Sequence, residues 1–339
     1  MKSVKVSSDR KYEVIIGGNW SDEKKSIESR HGKVLYIIPE SLKETLNLGP
    51  LQYTYFTSDA ENQKSIKTLE ALWNHCGEIG LRRDDAIVAL GGGATTDLGG
   101  FVAATWLRGI SWYSVPTSIA GAVDAAIGGK TGINSSHGKN LIGSFYSPDR
   151  VIIDLDFLRT LPERDFNAGM AEIIKCGFIS DPKIFDLLED PKTNLEELIY
   201  RSVKVKADVV SKDFKEGRLR EILNYGHTLG HAIEKREEFK LRHGEAIAVG
   251  LVFAAELSGI CLGLAQNEIQ RHRDLLVKFK LPINYRREAF EDLINIMAGD
   301  KKTRGSRIRF IGIRKPGKVT WLEDVTLDQI RTAYERIAI

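Results

Sequence analysis

Two short runs, Val34-Leu35-Tyr36-Ile37-Ile38 and Ala86-Ile87-Val88-Ala89-Leu90, constrain the fold more than any other feature of this chain. Both are apolar throughout. A strand with one wet face alternates apolar and polar residues, whereas an unbroken run must be covered on both faces. Helices supply that cover when strands run parallel and are joined by helical crossovers. The flanking sequence agrees. Tyr12–Gly18, Gln52–Thr57, Ile110–Val115 and Val151–Leu155 read as strands, and Ile66–Ile79 carries apolar residues at helical spacing before Gly80. Pro39-Glu40-Ser41 is expected to open a helix. After the connector Leu161-Pro162-Glu163-Arg164 helical periodicity dominates, over Asp165–Gly177 and Asn194–Asp213 among others, with a short hairpin expected at 307–313 and 318–321. A chain of 339 residues is long for one core, so two domains are expected.

Composition narrows the partners. Apolar content of 42% and charged content of 28% are those of a globular protein, and a net charge of +3 gives no reason to propose nucleic acid. Cys76, Cys176 and Cys261 are far apart with no CxxC pair, a reduced, cytoplasmic pattern. No apolar leader follows Met1. Ala246–Ala265 has the length of a membrane span, but Glu256 sits in its middle, so a buried core helix is expected and no membrane partner.

Chemistry concentrates in three places. Three of the seven histidines lie between His227 and His243. His227 and His231 share a helix face, and His243 opens the long apolar segment, from which it could fold back on the pair. Such a pair can equally pack a helix, since HxxxH lacks the glutamate that makes HExxH specific. Glu172, three residues before Lys175, could be the carboxylate that completes a two-histidine metal site. In the first half, Gly91-Gly92-Gly93 ends a strand and precedes Ala94-Thr95-Thr96-Asp97, a context that suits a pyrophosphate at a helix N-terminus as well as a plain tight turn. The segment from Val123 to Gly143 sets Asp124, Lys130 and Lys139 among glycines. It lacks the spacing of a Walker A loop and reads as an anion contact or a surface loop.

Together these stretches resemble the 3-dehydroquinate synthase family. GGGxxxDxxGF, VDxxxGGKTxxN, GKNxIGxF, GMAExxKxG, NxGHxxGHAIE, HGEA and DKK occur in that family's order, from about Glu61 to about Lys302. The resemblance implies an α/β chain: an N-terminal Rossmann-like parallel-sheet domain over 1–158, followed by an all-helical metal-binding domain over 159–339, with the active site between them. It implies NAD, one divalent metal (zinc or cobalt), a phosphorylated small-molecule substrate and a homodimer. Carried over by motif, Glu172, His227 and His243 would hold the metal. Glu61, Lys64, Gly92, Gly93, Asp97, Thr117, Ser118, Asp124, Lys130 and Lys139 would meet NAD. His231, Lys130, Asp124, Lys175, Asn224 and Arg220 would serve the chemistry, and Arg108, Asn140, Lys206 and Lys301 or Lys302 would meet substrate, Arg108 from the other subunit. Where the family often places Asp or Asn against the adenosine ribose, this chain has Pro39-Glu40-Ser41. Three other readings stay open: a sister sugar phosphate cyclase, a metal-dependent polyol dehydrogenase that would release NADH, and a sensor without turnover.

Overall fold

The computed structural model describes residues 1–190, 194–299 and 308–339. In chain order it has β1 (Lys2–Ser7), β2 (Lys11–Ile16), α1 (Trp20–Glu28), β3 (Val34–Pro39), β4 (Tyr53–Thr57), α2 (Ile66–Glu78), β5 (Ala86–Gly91), α3 (Gly93–Thr105), β6 (Ser111–Pro116), β7 (Lys130–Ser135), β8 (Gly138–Phe145), β9 (Arg150–Ile153) and α4 (Leu155–Arg159). There follow α5 (Glu163–Ile179), α6 (Lys183–Glu189), α7 (Leu195–Lys212), α8 (His227–Arg236), α9 (His243–Leu262), α10 (Gln266–Lys278), α11 (Phe290–Gly299), β10 (Phe310–Lys315), β11 (Lys318–Leu322) and α12 (Leu327–Glu335). Met1–Pro162 with Leu195–Lys215 form one compact unit; Glu163–Asn194 with Glu216–Ile339 form another.

The first unit is built on a seven-stranded sheet of order β1-β2-β9-β6-β5-β3-β4. Every pairing is parallel except β1 with β2. The unbroken apolar runs are explained by two cores. Leu35, Ile37, Ile87 and Ala89 face Leu69, Leu72, Leu98 and Val102 on one side. Val34, Tyr36, Ile38, Val88 and Leu90 face Trp20, Ile27 and Phe157 on the other. The chain moves outward from β3 to β4 and then inward to β5, so the strand order reverses between β3 and β5. That reversal leaves a crevice at the carboxyl ends of the two strands, where ligands of open α/β sheets bind. Gly91, Gly92 and Gly93 stand at its edge.

Four local expectations change. Pro39 ends β3, and only one tight turn, Glu40–Leu42, follows it, with no side chain capping its start. The glycine-rich piece expected as a loop contains the antiparallel hairpin β7–β8. The unanticipated β1 alternates Val4 and Val6 inward with Ser3, Lys5 and Ser7 outward, the pattern of a strand with one wet face. Finally, the division at 158/159 falls at Pro162, and α7 belongs to the first unit, so the second half is not one continuous domain. The apolar stripe of α7, with Leu198, Ile199, Val203 and Val210 buried, packs on β1 and β2.

The second unit is helical apart from the hairpin β10–β11. Its axis is α9, which is long and apolar enough to cross a membrane yet buried by α5, α8, α10, α12 and β10. Glu256, in the middle of α9, is held by Arg273 at 2.8 Å and Arg336 at 3.0 Å. The crossing of α8 and α9 is close because Gly250 has no side chain: a Cβ there would lie 2.0 Å from the carbonyl oxygen of Gly226. Both partners are backbone, so neither can give way. Gly250→Ala is therefore expected to destabilise the second unit by about 3 kcal/mol or more, read as a lowered denaturation midpoint in urea.

Candidate functional site

Three helices of the second unit bring one carboxylate and two imidazoles together. Glu172 lies mid-way along α5, His227 is the first residue of α8, and His243 is the first residue of α9. Gly244 brings α9 onto α5, since a Cβ there would meet the Ala168 carbonyl oxygen at 1.7 Å. The N-terminus of α9 is then locked by Glu245, which accepts from its own Arg242 amide at 3.0 Å and from Arg164 of α5 at 2.6 and 2.8 Å. Glu245 of the HGEA motif is thus a structural residue.

Glu172 is 2% exposed. Its Oε2 pairs with Lys175 at 2.5 Å. Its Oε1 accepts no hydrogen bond although it is buried. That oxygen lies 3.4 Å from His227 Nε2 and 3.5 Å from His243 Nε2. Donors 2.0–2.1 Å from one ion at tetrahedral angles lie roughly 3.3–3.4 Å apart. The spacing is too long for hydrogen bonds and right for three ligands around a cation.

The protonation of the set agrees. Burial alone would raise the Glu172 carboxyl, but the Lys175 ammonium above all, with His243, outweighs it and holds the carboxyl well below its ordinary range. Burial and then Lys175 lower His227, which keeps it neutral. Burial also pushes His243 down, but the Glu172 and Glu234 carboxylates raise it to about 10. Without an ion, the His243 proton supplies the positive charge that two buried carboxylates require, and a divalent cation would take its place.

Both imidazoles are oriented from behind. His227 Nδ1 donates to the Tyr225 carbonyl at 3.1 Å, and His243 Nδ1 lies 3.2 Å from Glu234 Oε2. A carbonyl can only accept, so the His227 proton is on Nδ1 and the Nε2 lone pair faces Glu172. Glu234 was not picked out from the sequence. Its signal was there, since it stands three residues after His231 and ends the NxGHxxGHAIE motif. His231 lies beside the set, its ring 5.1 Å from that of His227, and its side chain is 54% exposed. A second possible donor group, His231, Glu234 and His243, shares His243 with the first. Its exposed His231 and its lack of an orphaned oxygen make it the weaker one.

Near this set, Arg220 is buried and Asn224 half-buried on the turn Leu219–Asn224, which leads directly into α8. Lys301 and Lys302 lie outside the described residues.

In the first unit the expected residues fall into three groups. Lys64, 3% exposed, reaches Asp97 at 2.7 Å, Glu61 at 3.6 Å and Asn140. Burial works against its ammonium, and Asp97 and Glu61 more than offset this, so the pKa rises. Asn134, also unanticipated, ties the group together by donating to Glu61 at 2.8 Å and accepting from the Asn140 amide at 3.0 Å. Gly92 and Gly93 form the second group at the start of α3, which has no side-chain cap. Thr117 donates its amide to Gly91, Ser118 lies near Gly92, and a Cβ on Gly93 would meet Ala125 at 2.9 Å. This leaves an uncapped helix start in a glycine cradle, which suits a pyrophosphate. In the third group Asp124 pairs with Lys206 at 2.5 Å. Lys130 is exposed and Lys139 half-buried on the β7–β8 hairpin. Arg108 is exposed in a left-handed turn with φ of 68°.

An NAD-type Rossmann-like unit accompanied by a helical unit with a His2Glu metal set defines a class of cofactor-dependent enzymes, and comparison with known proteins gives its family. The 3-dehydroquinate synthase N-terminal family model matches residues 54–168, and the corresponding C-terminal model matches 169–303. A 3-dehydroquinate synthase of Paenarthrobacter aurescens is 47% identical, covering 98% of this chain and 96% of its own. A solved 2-deoxy-scyllo-inosose synthase in complex with carbaglucose-6-phosphate, NAD+ and Co2+ superposes with a TM-score of 0.84 at 24% identity, covering 99% of this chain and 100% of its own. A 2-epi-5-epi-valiolone synthase of Streptomyces hygroscopicus, with NAD+ and Zn2+ bound, gives 0.87 at 24% identity, covering 96% of each chain. The chain belongs to the 3-dehydroquinate synthase family.

Removing the charge of Glu172 tests the metal set directly. Glu172→Gln is expected to lower bound zinc or cobalt from about one ion per chain to a small fraction of that, measured by elemental analysis after dialysis. Glu234→Gln should weaken affinity by roughly 10–100-fold without abolishing it.

Proposed function

We propose that this chain is a 3-dehydroquinate synthase, a carbon–oxygen lyase of the shikimate pathway to the aromatic amino acids. It would convert 3-deoxy-D-arabino-heptulosonate 7-phosphate to 3-dehydroquinate and phosphate by transient oxidation, elimination of phosphate, re-reduction and an intramolecular aldol closure. The observation that carries this reading is the 47% identity, over nearly the whole chain, to a curated synthase of that name, against 24% to the sister cyclases.

Bound NAD+ would supply reversible hydride acceptance, and Glu172, His227 and His243 would hold a divalent ion whose Lewis acidity would acidify a substrate hydroxyl. The remaining work falls to the chain itself. Glu61, Lys64, Asp97 and Lys139, with the Gly92-Gly93 helix start, Thr117 and Ser118, would seat the dinucleotide. His231 lies beside the metal set with its side chain open to solvent, and desolvation with His227 and His243 lowers its pKa to about 3, so its neutral ring would take the hydroxyl proton only in passing and hand it on. Lys175 fixes Glu172 and adds positive charge beside the site of oxidation.

The substrate carries a carboxylate and a dianionic phosphate. Cations are therefore required, and Lys130, Lys175, Lys206, Arg220 and one of Lys301 or Lys302 would supply them, with Asp124, Asn140 and Asn224 as polar contacts. Asp124 holds the Lys206 ammonium in place. Arg108, on an exposed turn, suits delivery to the phosphate of a partner subunit in a homodimer. Cysteines without disulfides and a buried α9 support a cytoplasmic enzyme that acts on a small molecule.

The test is phosphate release from the heptulosonate 7-phosphate by purified protein, with and without chelator, while NADH absorbance is followed. Release that needs both NAD and metal, with no NADH accumulating, is the expected result. NADH accumulation would point instead to a dehydrogenase, and inertness toward this substrate to a sister cyclase. His231→Ala should lower kcat by about 100-fold and leave metal content at the parent level.

A further inference from the structure

His272 belongs to none of the motifs quoted above, and Tyr225 fills a position that NxGH leaves open. Both are wholly buried. A buried imidazole or phenol destabilises a fold unless its polar atoms are paired, and here they are. His272 Nδ1 lies 2.7 Å from the Glu268 carbonyl oxygen, one turn earlier on α10. That oxygen can only accept, so Nδ1 carries the proton and the bare Nε2 accepts from the Tyr225 hydroxyl at 2.9 Å. Burial lowers the pKa of His272 to about 3, so the ring stays neutral in this arrangement.

Two further contacts give the pair a direction. The His272 ring lies flat on Phe178, with centroids 3.3 Å apart and planes 10° from parallel. Phe178 is on α5, the helix that carries Glu172 and Lys175. The Tyr225 carbonyl is the acceptor that holds His227 Nδ1. One side chain of α10 thus touches both the helix that supplies the carboxylate and the residue that orients the first imidazole.

We propose that His272 and Tyr225 are positioning residues for the metal centre. Their hydrogen bond anchors Tyr225, whose carbonyl keeps His227 Nε2 turned toward Glu172. This rests on the metal reading above. Only a buried ring and a buried hydroxyl are involved, so the expected consequence is in metal binding rather than in substrate recognition.

The test is an equilibrium titration of the stripped full-length protein with Co2+, reading the visible absorption bands that report coordination geometry. Tyr225→Phe keeps the ring and removes only the hydroxyl, so it should fold, with far-UV circular dichroism as the check. It is expected to weaken Co2+ affinity by about 10-fold and to shift the bands. Two changes at His272 separate positioning from packing. His272→Gln keeps an acceptor for Tyr225 and loses the stack, and His272→Phe keeps the stack and loses the acceptor. Positioning predicts that His272→Gln retains more Co2+ affinity and a more parent-like spectrum; a packing role predicts the opposite order. Parent-like affinity and spectrum in both Tyr225→Phe and His272→Phe would overturn the proposal. A parent protein that binds no Co2+ would overturn the metal reading and this inference with it.

Discussion

A buried carboxylate with one oxygen left without a hydrogen bond is the constraint on which the second unit depends. Leaving a buried charge without a partner destabilises a fold by roughly 3–5 kcal/mol. Lys175 offsets part of that at Glu172 Oε2. Oε1 faces the protonated His243 at 3.5 Å, which supplies positive charge, and the bare Nε2 of His227 at 3.4 Å. The helices cannot drift apart to relieve the arrangement. Gly244 and Gly250 set α9 against α5 and α8 at backbone contact, and Glu245 with Arg164 holds the end of α9 in place. Frame rigidity and the unsatisfied oxygen are two sides of one device, a site whose groups are held ready for a cation.

The first unit solves a different problem, which is to keep charged and polar groups at a crevice without letting them collapse into the core. Lys64 is buried but answered by Asp97 and Glu61, and Asn134 and Asn140 of the β7–β8 hairpin complete the network. The hairpin that reads as a loose glycine loop is therefore tied to the turn after β4. Its glycines serve close strand contact: a Cβ on Gly132 would meet the Ile142 carbonyl oxygen at 2.5 Å.

Much of this was legible in the sequence, for physical reasons that differ by element. The central strands announce themselves because burial on both faces demands unbroken apolar runs, and α9 because Glu256 in an apolar helix demands charged partners, which are Arg273 and Arg336. The grouping of Glu172, His227 and His243 was legible because histidine and glutamate types at these positions match a family pattern. What was not legible depends on distance in sequence. Nothing local in Leu195–Lys212 says that its stripe packs on β1 and β2 rather than on its neighbours in the chain. Glu234 reads as an ordinary helical glutamate until α9 brings His243 to within 3.2 Å of it. The turn after Pro39 lacked the apolar periodicity of a helix, and the expectation of one rested on the proline alone.

The frame is shared far more widely than the side chains on it. Sister cyclases superpose with TM-scores of 0.84 and 0.87 at only 24% identity, so the backbone tolerates replacement of most residues. Fold alone therefore cannot select a substrate, and selection must lie with groups whose change leaves the frame intact. The turn Leu219–Asn224 fits that requirement. It carries Arg220 and Asn224, and it runs without interruption into Tyr225, Gly226 and His227. A short turn can exchange side chains without repacking a helix, while its far end is pinned by the hydrogen bonds of Tyr225. On the proposed reading, substrate contacts at Arg220 and Asn224 and a metal ligand at His227 would share one stretch of backbone, and the chain itself would set the distance from one to the other.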